Sequence, residues 1–205
     1  MSAPSSAPVS VTGNAVLVVV DIQGGSGDPA QPESGIPLMG GKEGRAPKVK
    51  NLIARCRQAG VPVVFIQEVH KPSLVDIGRE LDGAEGPHCV EGEDGTALAD
   101  WIDPQPNEFV IRKRRYSAFF GTELEIVLKA YKAETLFLVG GLTDVCIHYT
   151  AVDAHQHDYF VRVLTDCVGG SSERAHQASL EAIEYLQRDA LVTSDGVLEW
   201  LNTVG

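Results

Sequence analysis

Three side chains able to carry hydrolytic chemistry stand at the ends of apolar runs: Asp21, Lys113 and Cys146. Cys146 lies in Val139-Gly-Gly-Leu-Thr-Asp-Val-Cys146, where an apolar run meets two glycines and then a helical pattern. If Thr143 is the N-cap, Cys146 takes the third helical position. Free backbone N–H groups and the positive end of the helix dipole would there stabilise a thiolate and lower its pKa. The same amides could bind an oxyanion. A cysteine at such a turn also fits inert packing, so the motif alone leaves both readings open. Asp21 closes the run Ala15–Val20, a costly place for a carboxylate unless it is paired or opens into a cleft. Its plainer reading is a helix cap or loop ion pair. Lys113 sits in the basic run Arg112-Lys-Arg-Arg115, which by charge alone fits a solvated face. Each of the three follows a different apolar run, so one cleft could hold them all.

The elements that would position them are short. Ala15–Val20 is apolar on both faces, as expected for a strand buried between helix layers. Similar runs at 61–66, 108–112, 135–139, 159–164 and 190–193 are bounded by turn or charged residues. Helical spacing fills the gaps at 47–59, ended by Gly60, and at 122–133, 143–157 and 172–188. This alternation predicts an α/β domain: a three-layer α/β/α sandwich around a mostly parallel, six-stranded, Rossmann-like sheet. Two stretches break the alternation, 24–46 and 70–103. Both leave the carboxyl end of a predicted strand, the edge where open α/β sheets bind ligands. A flexible tail is expected over 1–12, with 13–205 forming a single domain.

The 205 residues carry a net charge of -11, which disfavours nucleic acid or an anionic membrane as partner. No signal peptide or membrane-length apolar run is evident, so a cytoplasmic protein is expected. The four cysteines at 56, 89, 146 and 167 form no CxxC pair and read as free thiols, with Cys56 and Cys167 as packing residues.

Three motifs in order, Val-Val-Asp21-Ile-Gln23, Lys113-Arg-Arg-Tyr-Ser-Ala-Phe-Phe-Gly-Thr122 and Gly140-Gly-Leu-Thr-Asp-Val-Cys146, make the chain resemble the isochorismatase-like cysteine hydrolases from about Ala15 to Thr193. That family includes nicotinamidase, N-carbamoylsarcosine amidase and ureidoacrylate amidohydrolase. The resemblance implies a catalytic set of Asp21, Lys113 and Cys146. It places Gly141–Leu142 where the family has a cis peptide bond, with the Leu142 and Cys146 amides as oxyanion donors. The implied reaction is hydrolysis of a small amide or ureido C–N bond through a thioester, by a homo-dimer or homo-tetramer. Gln23, Tyr116 and Phe119 are candidate pocket residues, with Phe120 beside them. The first motif departs from the family by continuing Asp21-Ile-Gln-Gly-Gly-Ser-Gly-Asp28, without the usual aromatic, which leaves the substrate open.

The implied chemistry requires no cofactor, yet Glu68, His70 and His88 have spacing similar to the nicotinamidase metal triad. They are candidate ligands for zinc, iron or manganese. Alternatively, both histidines only line the pocket or bond backbone. His176 matches a family histidine with a structural role, and His148, His155 and His157 should pack or face solvent. Competing functions are vinyl-ether hydrolysis of isochorismate, which does not need the thiol, a non-enzymatic module that keeps the fold, and a redox sensor.

Overall fold

The computed structural model describes residues 9–24, 36, 38–83 and 85–204. Six strands form one parallel sheet: β1 (Asn14–Val20), β2 (Val63–Glu68), β3 (Phe109–Lys113), β4 (Ala133–Gly141), β5 (Phe160–Gly169) and β6 (Leu191–Val192). Their spatial order is β3-β2-β1-β4-β5-β6. The chain winds outward from β1 through β2 to β3, then returns to the other side of β1 to lay down β4, β5 and β6. The order therefore reverses between β1 and β4, and a crevice opens at the carboxyl ends of that pair.

Helices cover both faces: α1 (Lys42–Gln58), α2 (Leu124–Ala130), α3 (His148–Gln156), α4 (Glu173–Leu186) and α5 (Ser194–Val204). Alternation along β1 explains why both layers are needed. Val16, Val18 and Val20 pack with Leu124, Leu128, Ala151, Leu180 and Ile183 of α2, α3 and α4. Leu17 and Val19 point the other way, onto Val49, Leu52 and Ile53 of α1 and Val197 and Leu201 of α5. A strand with apolar side chains on both faces is stable only in such a sandwich.

Several boundaries differ from the expectation. Helix α1 begins at Lys42, so Pro47 lies inside it and removes one backbone bond rather than opening the helix. Helix α5 went unread in the sequence. Residues 9–12, expected in the flexible tail, are tied to the domain. Val9 and Val11 pack against the α1/α5 face, and Thr12 exchanges hydrogen bonds with Thr135 Oγ1 at 3.0 and 2.7 Å. Residues 1–8 of that tail, and 25–35 with Asp28, lie outside the described residues. Among the described residues no helix is long and apolar enough to cross a membrane.

The stretch 70–103 is irregular but tied down. It contains two short 3-10 turns, Glu80–Asp82 and Asp94–Thr96. The His70 N–H donates to Cys89 O at 2.7 Å, and the Glu91 N–H donates to His70 O at 2.8 Å. Those bonds fold the loop over the carboxyl ends of β1 and β2.

Candidate active site

Strand ends bring the three sequence-predicted side chains together. Asp21 is the first residue after β1, with a left-handed φ of 50°, a conformation aspartate tolerates better than most residues. Lys113 is the last residue of β3, fully buried, so its basic run is no solvated face at this position. Its Nζ lies 2.9 Å from Asp21 Oδ2 and donates to Cys146 Sγ at 3.4 Å. A fourth group joins them: Glu68, at the end of β2, is in close contact with Lys113 Nζ through Oε2, which is also 3.9 Å from Cys146 Sγ. Sequence reasoning placed Glu68 only among metal ligands, and its contact with Lys113 was invisible because it depends on β2 pairing with β3.

Cys146 sits in a different turn from the one expected. Thr143–Ile147 forms a π-type turn without a side-chain cap, and α3 begins only at His148. Thr143 is not the N-cap. Its hydroxyl is 2.9 Å from His176 Nδ1, which gives that histidine its structural place. The Gly141–Leu142 peptide bond that precedes the turn is cis.

The electrostatics correct a second expectation. Cys146 is 7% exposed, and burial, reinforced by the Asp21 and Glu68 carboxylates, outweighs Lys113 and pushes the thiol well above its ordinary pKa. At rest Cys146 is a thiol, not a preformed thiolate. Burial also raises Asp21, against the pull of Lys113, to about 6. Burial would raise Glu68 too, but Lys113, His70 and His88 together hold it well below the usual carboxylate range. Burial opposes the charge on Lys113, but the Asp21 and Glu68 carboxylates beside it outweigh that and hold its pKa well above the ordinary lysine value.

On the other side of Glu68 lies a second cluster. Glu68 Oε1 is 3.2 Å from His70 Nε2 and 2.8 Å from His88 Nε2, and Glu80 Oε2 is 3.5 Å from both nitrogens. Glu80 is 5% exposed, and neither of its oxygens has a hydrogen-bond partner. One donor atom from each of Glu68, His70, Glu80 and His88 lies within 4.8 Å of the others, a constellation able to hold a metal ion. Glu80 was missed because it falls in the aperiodic loop.

These groups open onto a cavity of about 930 Å3 lined by Asp21, Glu68, Cys146, Gly141 and Leu142, with Tyr116 and Trp101 as aromatic wall. Gln23 also borders it, but its amide is spent on structure: Nε2 donates to Glu68 O and Thr96 O, and Oε1 accepts from Glu68 N–H. Phe119, expected on the wall, instead stacks on His157 and leans on Tyr159 in the core. Phe120 is 66% exposed and also does not line the cavity. Cys167 is buried within β5 and borders the cavity, and Cys56 is core.

The chain is similar to several known proteins. Ureidoacrylate amidohydrolase RutB of Methylobacterium radiotolerans is 29% identical over 92% of this chain and 76% of its own. Maleamate amidohydrolase of Pseudomonas putida is 30% identical over 92% and 88%. The structure of N-carbamoylsarcosine amidase from Thermoplasma acidophilum superposes with a TM-score of 0.70 at 28% identity, covering 89% of this chain and 97% of that one. Residues 15–195 match the Isochorismatase domain, and with that match spanning most of its length the chain belongs to the isochorismatase family.

Proposed function

We propose that this protein is a cysteine-dependent amidohydrolase that cleaves a small amide or ureido C–N bond through a thioester on Cys146. The observation that carries the reading is the buried Lys113 ammonium 2.9 Å from Asp21 and 3.4 Å from Cys146, both of which border a substrate-sized cavity. Asp21, ionised above about pH 6, takes the thiol proton as sulfur attacks the carbonyl carbon. Lys113 balances the negative charge that the sulfur gains, and its contact with Glu68 fixes the ammonium in place. Backbone N–H groups of Leu142 and Cys146 hold the oxyanion. As the C–N bond breaks, Asp21 returns the proton to the departing ammonia or amine. Asp21 then accepts a proton from the water that attacks the thioester, and the acid and free thiol are released.

Family resemblance also implies a divalent metal in some members, and the cluster around Glu68 fits one. Two carboxylates and two imidazoles suit zinc, iron or manganese, and buried Glu80, whose approaches to the two imidazoles are a long 3.5 Å, would gain a stronger partner. Glu68, His70, Glu80 and His88 would hold the ion, which when bound supplies Lewis-acid polarisation at the cavity wall. Glu68 would then link the ion to Lys113 through its second oxygen. Because hydrolysis as drawn uses only Asp21, Lys113, Cys146 and backbone amides, none of its steps passes through the metal.

The test is ammonia release from a panel of small amides and ureido compounds by the wild-type protein and by Cys146→Ala. Turnover confined to the wild type supports the reading. Undiminished turnover in Cys146→Ala, or pyruvate from isochorismate in place of ammonia from amides, overturns it.

A further inference from the structure

Most of the charged side chains that border the cavity are carboxylates, Asp21, Glu43, Glu68, Glu85 and Asp94, and Lys42 borders it as well. Arg45, in the first turn of α1, faces the same space and pairs with none of those carboxylates. Its guanidinium donates only to two carbonyls, Gly40 O at 2.6 Å and Met39 O at 3.3 Å, and no carboxylate pairs with it among the described residues. Two bonds leave three of its five N–H donors for something else.

Its seat is prepared by a glycine. A Cβ added at Gly169 would lie 2.8 Å from the Arg45 Cζ and Nη2 and 2.9 Å from Nε. Gly169 has no positive φ that would demand glycine, so what the missing side chain supplies there is room for the guanidinium. Gly169 is also the register partner of Gly141, the residue that precedes the oxyanion turn. Adjacent strands are roughly 5 Å apart, which puts the Arg45 seat one strand spacing from the peptide beside the scissile carbonyl.

We propose that Arg45 is the carboxylate-binding residue of this pocket, so that the compound hydrolysed is an acid whose carboxylate lies a few bonds from the scissile carbonyl. The inference rests on the amidohydrolase reading and narrows it to anionic amides and ureido acids. A planar guanidinium with adjacent free donors matches a carboxylate in two parallel hydrogen bonds, which a neutral chain end cannot supply. In a cavity whose charged lining is mostly acidic, a guanidinium with donors to spare also orients the substrate. The acid end goes to Arg45, and the carbonyl is left over Cys146. Were Arg45 only a brace for the 39–40 carbonyls, its loss would impair every substrate alike.

The experiment compares two anionic probes, succinamate and N-carbamoylglycine, with two neutral analogues of similar length, pentanamide and propylurea. These are assayed with the wild type, Arg45→Gln and Gly169→Ala. In both variants kcat/KM for the anionic probes falls at least tenfold, mainly through KM, while the neutral amides change less than about twofold; loss of a charge-assisted pair accounts for that scale. In parallel, calorimetry measures binding of the anionic probes to Cys146→Ala with and without Arg45→Gln. Equal losses on charged and neutral probes overturn the proposal, as does no loss in Arg45→Gln or binding that is absent or indifferent to Arg45. If the wild type hydrolyses no probe yet binds the acids through Arg45, the anchor stands and the amidohydrolase reading falls.

Discussion

Cys146 is held as a thiol by burial and by two carboxylates, and its reactivity therefore depends on where its proton can go. Asp21 is the acceptor with a suitable affinity, raised to about 6 because its side chain is only 10% exposed. A base must be ionised to act, so kcat/KM should climb about tenfold per unit as pH rises toward 6 and level off above it. A profile flat from pH 4.5 to 7 would remove Asp21 from that role. Cys146→Ala and Asp21→Asn should each lower turnover more than about a thousandfold. Cys146→Ala should nonetheless unfold within a few degrees of the wild type, because the deleted sulfur leaves a cavity costing about 1 kcal/mol. Differential scanning fluorimetry beside the ammonia assay separates lost chemistry from lost folding. Metal holding is a separate residue-scale matter. Glu80→Gln should keep the fold but lower the metal retained after dialysis, measured by elemental analysis, since it removes one of two carboxylates from the cluster.

Strand ends do the positioning, and the closest fit among them is at Gly140. It has φ 115°, and a Cβ there would come within 1.9 Å of Val20 O, on the neighbouring strand just before Asp21. Gly140→Ala combines backbone strain with a clash between β1 and β4, so a loss of about 3 kcal/mol or more is expected, read as a Tm drop of roughly 6–12 °C. By comparison, Ser172→Ala removes an N-cap that accepts from Ala175 N–H at 3.2 Å and should cost about 1 kcal/mol with activity retained. The same contrast explains what could be read in advance. Strands β1, β2, β4 and β5 were legible because apolar runs with both faces buried have few other homes, edge strand β3 was legible from its short apolar run alone, and Asp21, Lys113 and Cys146 were legible because each ends or closely follows such a run. Helix α5 was not, since only Val197 and Leu201 with Ser194 are buried along it and Gly196 interrupts its first turn. The turn at Cys146 defeated local reasoning for another reason: Thr143 looks like a cap, but His176 from α4 engages its hydroxyl. Glu80 had no periodicity to mark it, because its loop is held by backbone bonds between His70 and Cys89 and between Glu91 and His70, not by a regular element.

At the scale of the whole molecule, a net charge of -11 and a cavity bordered by carboxylates oppose the approach of an anionic substrate. Arg45 acts only at contact distance, whereas the repulsive field reaches outward by a Debye length, about 30 Å at 0.01 M salt and about 8 Å at 0.15 M. The two effects therefore respond differently to salt. Raising ionic strength between those values should increase kcat/KM for an anionic amide by about twofold or more, because screening relieves the long-range repulsion before it weakens a half-buried pair. A neutral amide of the same length should be indifferent, and in Arg45→Gln the salt dependence of the anionic probe should persist on a lower baseline. Steady-state assays at constant pH with sodium chloride as the only variable distinguish these outcomes. A kcat/KM for the acid that falls with added salt would mean that the entrance attracts anions, and that the carboxylates on the wall do not govern the field a substrate meets.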